Sequence, residues 1–358
     1  MSAYSPSERE LARAGRDDRF DLVDRRGRPG RLSPEGSAPI TRRITALALA
    51  LGIVMAAGKL WLFLLTGSVG VLATLVHSAL DIVAAASSFV AVRIAARAPT
   101  PDFRFGFGKA ESFSAVFQVC LIGLAAFHLF GASLEGLGGE ALAHDHDHAG
   151  HGHAHDVGDS VLAMVMLGVF TALTLWLLIA QSWAIRATGS LAIRGDRAHY
   201  TADLFSNIAV IAGLGFATFT DAHWADAAVG AGLALWLLWT GYRVAQHAWA
   251  QLMDRELRED ERKLIRARIM ADPRVRAVSQ LRTRAAGPHL HMQMRLDLDP
   301  GLSLSEAHDV VVAAESRIMD AFPAADILIH PHPAGCAHAH GNARFDVDGT
   351  NAPLRPRA

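Results

Sequence analysis

The sequence contains almost no cysteine: Cys120 and Cys336 are the two cysteines in 358 residues. They lie far apart and fit no C-x-x-C pattern, which argues against a disulfide scaffold and against a thiolate zinc site. Charge is also scarce, since 19% of the residues are charged and the formal net charge is −1. This balance gives no global attraction to nucleic acid. With 51% hydrophobic residues, intrinsic disorder of the whole chain and collagen-like or fibrous architectures are excluded.

Long apolar runs, by contrast, are abundant. A helix needs roughly 20 mostly apolar residues to cross a bilayer. Six stretches fit this requirement: 44–65, 70–92, 112–134, 159–183, 201–220 and 226–248. We therefore predict an α-helical polytopic membrane domain with six transmembrane helices over residues 41–250, rather than a soluble protein with buried helices. The first run begins too late and is too long for the apolar region of a cleavable signal peptide.

Arginine and lysine are distributed unevenly among the segments that flank these runs. The tail before the first run holds ten arginines, and the segments 93–109 and 184–200 hold further basic residues. The alternate segments, 66–70, 131–159 and 220–225, hold none. By the positive-inside rule, we expect both termini to face the cytoplasm and the segment 131–159 to face outside.

Residues 251–335 are predicted to form a small cytoplasmic α+β domain. The run 289–298 (HLHMQMRLDL) alternates between apolar and polar residues, as a half-buried strand does. The predicted order is α-β-β-α-β, with a helix over 258–271, strands over 275–284 and 289–298, a helix from Ser303 or Ser305 to about 321, and a strand over 326–330. The flanking segments, 1–40 (basic) and 336–358, lack periodicity, and we predict that both are disordered tails.

Two identical H-x-x-x-D pairs lie in the second apolar run and in the fifth run extended back by two residues. Ionisable residues in such runs are functional candidates by default. The pairs are His77 with Asp81 and His199 with Asp203. The i, i+4 spacing places each pair on one helix face. If the pairs converge, two nitrogens and two oxygens form a tetrahedral site of the kind that zinc accepts. The alternative is that each pair is a structural hydrogen bond within its own helix.

Lys59 is a further charge, near the outer end of the first apolar run. One interpretation is that its long side chain extends to the membrane interface, as lysines near helix ends do. The other is a role in transport. The sequence leaves both open.

Several segments resemble the cation diffusion facilitator family of divalent metal efflux transporters. They are VHSALDIVAAASSFVAV, FRFGFGKAESFSAVFQ, HYTADLFSNIAVIAG, QLMDREL and DILIHPHP, and the resemblance spans about 41–335. The resemblance implies six transmembrane helices, a ferredoxin-like cytoplasmic domain, a homodimer, and export of a divalent cation against protons.

The resemblance also implies roles for particular residues. His77, Asp81, His199 and Asp203 match the transport site, and histidine at position 77 resembles the zinc-preferring members. Lys109 matches a residue that makes an inter-subunit charge contact, and Asp254 matches its partner. Some members have another metal site in the loop before the third helix, but here Phe103 and Phe107 stand at its histidine positions. Since phenylalanine cannot ligate a metal, we expect that site to be absent.

The cytoplasmic domain of many members binds further metal ions, and zinc is also expected here as a regulatory or structural ion. His308, His330 and His332 match ligand positions, whereas Ser279 and Arg295 occupy others. The nearby residues His289 and His291 are candidate substitutes. For each of these histidines the alternative is a solvated surface residue.

A histidine-rich segment, HDHDHAGHGHAH over 144–155, lies within the predicted external loop 143–156. Its candidate ligands are His144, His146, His148, His151, His153 and His155. In many zinc-transporting relatives a comparable tract lies in a cytoplasmic loop, whereas the charge pattern places this one outside. Composition favours flexible metal chelation at the exit side; the alternative is a solvated loop of low affinity.

Together these features predict a zinc efflux transporter with proton antiport, and the resemblance implies that it lies in a bacterial inner membrane. Metal ligands must be deprotonated, so binding of the cation releases protons. An intramembrane zinc metalloenzyme is a weaker alternative, because it needs an open coordination position and no HExxH motif occurs. A membrane-tethered metal sensor or storage protein is the other alternative. Affinity order does not choose zinc over cadmium, cobalt, iron(II), nickel or manganese.

Overall fold

The structure is a computed structural model of the chain, and it describes residues 32–67, 69–137, 157–219 and 223–335. The histidine-rich segment 144–155 and the tail 336–358 lie outside the described residues, as does most of the N-terminal tail. Two compact units divide the chain: one comprises Ala38–Trp249, and the other includes the residues from Ala250 onward.

The first unit is built from six long helices within the described residues. Gly67 and Gly189 have positive φ angles of 61° and 66° and lie directly after the first and fourth helices, where a left-handed residue ends a helix at low cost. The helices are α1 (Pro34–Thr66), α2 (Val69–Ala95), α3 (Ala110–Leu137), α4 (Val157–Thr188), α5 (Leu191–Phe219) and α6 (His223–Leu252).

Within the described residues, four of these helices are long and apolar enough to cross a membrane. The spans are Pro34–Leu65, Leu75–Ala95, Ala110–Gly131 and Gly168–Thr188, and they lie in α1 to α4. The protein thus has a helical membrane domain with four clear apolar spans. Spans through α5 and α6 stay a prediction.

Small residues let α5 lie close to its neighbours α2, α3 and α4. Ala84, Ala115 and Ala192 have no exposed surface, and a Cβ at Gly195 would lie 3.3 Å from the Ala115 backbone. Such small residues are typical of helix interfaces in membranes, where close backbone approach replaces the hydrophobic effect as the source of attraction. Helix α5 therefore lies at the centre of this unit.

The C-terminal domain has the predicted α-β-β-α-β order. Its elements are α7 (Glu259–Ile269), β1 (Val275–Ala286), β2 (His289–Leu298), α8 (Leu304–Met319) and β3 (Ala325–Pro333). Strand β2 lies in the middle of the sheet, antiparallel to β1 and parallel to β3. The strand prediction for 289–298 is confirmed, because the alternating apolar face is at most 4% exposed. That face consists of Leu290, Met292, Met294, Leu296 and Leu298.

The two helices of this domain cover the buried face of the sheet. Ile265 and Ile269 of α7 and Val310 and Ile318 of α8 pack in the same core cluster as the apolar face of β2. Ser303 begins α8, because its Oγ accepts a hydrogen bond from the Glu306 backbone N–H while the Glu306 carboxylate accepts from Ser303. Between the two serines that the sequence offered, Ser303 is therefore the N-cap.

Candidate metal site

The two H-x-x-x-D pairs meet where α2 and α5 pack against each other. His77 and Asp81 lie one turn apart on α2, and His199 and Asp203 lie one turn apart on α5. The 3.6-residue period of each helix turns both members of a pair toward the same side. The sequence spacing therefore becomes a cluster of four side chains from two helices.

Each imidazole in this cluster contacts both carboxylates. The His199 Nε2 lies 3.1 Å from Asp81 Oδ1 and 3.7 Å from Asp203 Oδ2. The His77 Nε2 lies 3.7 Å from Asp81 Oδ1 and 3.5 Å from Asp203 Oδ1. The shortest contact joins α5 to α2, so these pairs are not merely hydrogen bonds within single helices. The four side chains form a ring in which imidazoles and carboxylates alternate.

The spacings between imidazoles and carboxylates in this ring resemble four of the six edges of a tetrahedron of ligands around a small ion. For ligands about 2.0–2.2 Å from a central zinc ion, the edges of the tetrahedron are roughly 3.3–3.6 Å long. The four His–Asp distances, 3.1 to 3.7 Å, lie close to that range. Within the described residues, the donor atoms of His77, Asp81 and Asp203 lie within 4.8 Å of one another. His199 does not join that group, although its Nε2 contacts both carboxylates.

The four ligand candidates differ in exposure. The side chains of His199 and Asp81 are 8% and 14% exposed, whereas that of His77 is 52% exposed. His199 is thus held among packed helices, and His77 lies on the open side of the ring. A change of side chain at position 77 is therefore easier to accommodate than one at position 199.

Glu111 holds the beginning of α5 in place. This residue belongs to the FGFGKAE segment and is 3% exposed in the first turn of α3. Its carboxylate accepts hydrogen bonds from the Ser190 Oγ at 2.6 Å and from the Leu191 backbone N–H at 2.9 Å. The first N–H groups of a helix have no partner within it, and an acidic group there also stabilises the helix dipole. The sequence alone did not reveal this role, because the partners lie about 80 positions away.

We expect Glu111→Ala to destabilise the membrane domain. The substitution leaves buried donors of Ser190 and Leu191 without this acceptor, at a cost of about 1–3 kcal/mol for each unsatisfied group. The apparent melting temperature of the purified protein in detergent should fall by roughly 4–10 °C. Glu259→Ala is the matched control, since its side chain is 58% exposed and pairs at 3.3 Å with Arg262 on the surface. Equal melting temperatures for the two variants would contradict the role of Glu111.

Asp196 is a buried acid that the sequence analysis did not single out. It lies three residues before His199 on α5, is 1% exposed, and accepts a hydrogen bond from Gln181 Nε2 at 2.7 Å. Gln181 is also fully buried, on α4. The feature of the sequence that could have revealed Asp196 is its position on the same helix as His199 and Asp203. Asp196 extends the polar interior of the domain beyond the ring of four ligands.

The five histidines of the C-terminal domain are not gathered into one cluster. His308 and His330 are exposed, while His291 and His332 are buried. The His291 Nδ1 lies 3.0 Å from Asp326 Oδ2, and burial, with the neighbouring His291, lowers the pKa of His289. Among the described residues of this domain, no three potential ligands come together as they do in the membrane domain.

Arg295 lies at one of the positions where the resemblance implies a metal ligand. Its Nε donates a hydrogen bond to the Ser279 Oγ at 2.9 Å and lies 3.2 Å from Asp297 Oδ1. The same carboxylate lies 3.7 Å from the Nδ1 of His332. The guanidinium of Arg295 thus lies among these side chains, at a position where the resemblance implies a metal ligand. Metal binding by His308, His330, His332, His289 and His291 stays a prediction, for which the distances among the described residues provide no group of three ligands.

The remaining predicted residues lie near the ends of α3 and α6. Lys109 directly precedes α3, and Asp254 follows α6 with a positive φ of 52°. The Asp254 carboxylate accepts a hydrogen bond from Arg284 Nη1 at 3.1 Å. In the loop before α3, the rings of Phe103 and Phe107 lie 5.0 Å apart. The contact between Lys109 and Asp254 of two subunits stays a prediction.

Comparison with known protein families accounts for both parts of the chain. Residues 45–253 match the cation efflux transmembrane domain, and residues 257–334 match the cytoplasmic domain of cation efflux proteins. The chain belongs to the cation diffusion facilitator family. Members of this family are cation efflux transporters and not enzymes, so the prediction of a transporter is confirmed. The C-terminal domain is accordingly the cytoplasmic domain of a family member.

Individual relatives in this family are similar over nearly their whole length. The cation-efflux pump FieF of Salmonella arizonae is 34% identical over 289 residues, which cover 81% of this chain and 90% of the relative. The protein of the same name from Cronobacter sakazakii is 31% identical over 288 residues, with 80% and 91% covered. The one from Salmonella newport is 33% identical over 303 residues, with 85% and 94% covered.

Proposed function

We propose that this family member exports zinc from the cytoplasm in exchange for protons, as a homodimer in a bacterial inner membrane. The observation that carries the proposal is the alternating ring of His77, Asp81, His199 and Asp203. Two imidazole nitrogens and two carboxylate oxygens suit a compact tetrahedral zinc ion. The names of the relatives, cation-efflux pump, support the direction of transport, and the match to the dimer-forming cytoplasmic domain supports a dimer.

The two carboxylates make passage of the cation through the membrane domain possible. An unpaired dication in hydrocarbon is prohibitively costly, and Asp81 and Asp203 together supply two negative charges. The imidazoles bind a metal only when they are neutral, so uptake of the cation displaces protons from the ring. Because an unperturbed histidine titrates at about pH 6.5, His77 and His199 can exchange protons for a metal ion at cellular pH.

The architecture that goes with this function has six transmembrane helices with both termini in the cytoplasm. Helices α5 and α6, of 29 and 30 residues, are long enough to cross a bilayer. The segment 131–159 would then face outside, where its histidines would buffer exported zinc. The α-β-β-α-β order, with a parallel β2 and β3 joined through α8, supports a ferredoxin-like cytoplasmic domain.

A flux assay in proteoliposomes tests the function directly. The purified full chain is reconstituted, zinc is added on one side, and zinc and pH are followed with separate indicator dyes. We expect zinc movement that speeds up when an opposing proton gradient is imposed and that moves protons in the opposite direction. A sensor or storage protein, or a metalloenzyme, would bind zinc without moving it across the bilayer. Zinc flux that is insensitive to the proton gradient would contradict the exchange.

A further inference from the structure

Lys59 contributes a positive charge beside the candidate metal site, from a helix that supplies none of its four ligands. Its Nζ donates a hydrogen bond to the Ser78 Oγ at 2.6 Å. Ser78 is 1% exposed and directly follows His77 on α2. The hydrogen bond therefore holds the half-buried ammonium of α1 against the part of α2 that carries His77. This contact is unfavourable to the interpretation in which Lys59 extends to the membrane interface, because its Nζ bonds to another helix of the domain. A role in transport stays a proposal.

The charge of Lys59 acts on both carboxylates of the ring. Lys59 interacts electrostatically with Asp81 and with Asp203. Burial disfavours the ammonium form of Lys59, whereas the two carboxylates favour it. We take Lys59 in the ordinary charged state of a lysine at neutral pH and count it with the two carboxylates when the charge of the site is considered.

Including the charge of Lys59 changes the energetics of cation binding and release. With neutral imidazoles, the two carboxylates alone carry a charge of −2, and a bound dication brings them to zero. The cost of burying a charge in a medium of low dielectric constant grows with the square of that charge. Without Lys59 the ring would strongly favour the loaded state. With Lys59 the net charge is −1 before the cation binds and +1 afterwards, so the two states carry charges of equal size.

We propose that Lys59 tunes the affinity of the ring, keeping it low enough for the bound cation to leave. A transport site must bind its ion strongly enough for entry and weakly enough for exit. An ammonium beside the ring repels a bound dication and lowers its affinity, while His77, Asp81, His199 and Asp203 provide the coordination. Lys59 is thus a determinant of affinity and turnover that acts through charge. This inference rests on the proposed function of the ring.

The test separates the charge of Lys59 from its hydrogen bond. Lys59→Gln removes the charge but keeps an N–H donor for Ser78, and Lys59→Arg keeps the charge. Lys59→Met serves as a second uncharged variant if the glutamine variant is poorly expressed. Lys263→Met is the matched control, since Lys263 is an exposed lysine of α7. The dissociation constant for zinc is measured on the purified full chain, and KM and kcat are measured in proteoliposomes.

Zinc binding elsewhere in the chain is subtracted with a variant that carries both Asp81→Ala and Asp203→Ala. We expect Lys59→Gln to tighten zinc binding at the ring on the order of tenfold or more, since a unit charge several Å away acts on a dication. KM and kcat should both fall, because the ion binds more tightly and leaves more slowly. Lys59→Arg and Lys263→Met should stay within about twofold of the unsubstituted protein.

Three results would overturn the inference. The first two are an unchanged or a weaker zinc affinity in Lys59→Gln. The third is a fall of kcat in Lys59→Arg as large as the fall in Lys59→Gln, which would indicate a purely structural role. The double aspartate variant shows which idea has failed. If that variant still transports zinc, the proposed site itself is wrong. If the double variant loses transport and binds less zinc than the unsubstituted protein, while Lys59→Gln keeps the zinc affinity of the unsubstituted protein, the proposed function stands and only the role of Lys59 is wrong.

Discussion

Replacing Asp81 or Asp203 with alanine is expected to abolish cation transport while leaving the protein inserted and dimeric. Each carboxylate lies within 3.7 Å of both imidazoles, so each removal deprives the ring of one ligand and of one of its two negative charges. An uncompensated buried charge costs about 3–5 kcal/mol, which corresponds to roughly a hundredfold loss or more. A dication held by one carboxylate would carry such an uncompensated charge.

The measurement is proton-coupled zinc flux in proteoliposomes at matched protein density. Asp102→Ala is the control, because Asp102 is an exposed acid in the loop before α3 and lies outside the ring. Elution volume in size-exclusion chromatography checks that the variants keep the oligomeric state of the unsubstituted chain. Normal zinc flux in either ring variant would show that the four residues are not the transport site.

Replacing His77 with aspartate is expected to change the selectivity of the transporter rather than to stop transport. The new site would have one nitrogen and three carboxylates, one more negative charge, and a looser geometric requirement. Harder or larger divalent ions such as manganese and cadmium should then compete better with zinc. The structure favours a tolerated change, because the His77 side chain is 52% exposed and lies on the open side of the ring.

The ratio of zinc flux to cadmium flux, compared between the unsubstituted protein and His77→Asp, measures this effect. We expect the ratio to fall severalfold. His128→Asn is the control, since His128 is an exposed histidine of α3 outside the ring. If His77 only held Asp81 in position, the added unpaired charge would stop transport of every metal. An unchanged ratio with intact activity would show that His77 does not set selectivity.

The extent of the helices could be predicted from the sequence only where they are apolar. Helix α1 begins at Pro34 and α5 at Leu191, about ten residues before the apolar runs that predicted them. Hydropathy indicates which part of a helix is surrounded by lipid. The helix itself can extend beyond that part when the backbone groups at its end find hydrogen-bond partners elsewhere in the protein. At the start of α5, Glu111 and Ser190 satisfy the first backbone groups. Neither partner is visible in a hydropathy profile.

The C-terminal domain was more predictable because its information is local. Alternation with a period of two marked β2 at its observed bounds, and Ser303 or Ser305 was predicted to begin α8, which has Ser303 as its N-cap. The histidines of this domain were less predictable. Their positions in the sequence are compatible with a metal site, but the strand register places Arg295 between Ser279 and His330. A resemblance between sequences cannot show where such a side chain will lie.

The sequence by itself determined the parts of the protein that depend on short-range patterns. The apolar runs, the two H-x-x-x-D pairs and the alternating strand follow from periods of 3.6 and 2 residues, which any helix or strand imposes on its own side chains. Only the tertiary structure decided which side chains meet across helices. His199 makes its shortest contact with Asp81, 118 positions away, and Lys59 of α1 donates a hydrogen bond to Ser78 of α2. These contacts depend on how closely α1, α2 and α5 pack, and that distance is set by small residues on several helices at once.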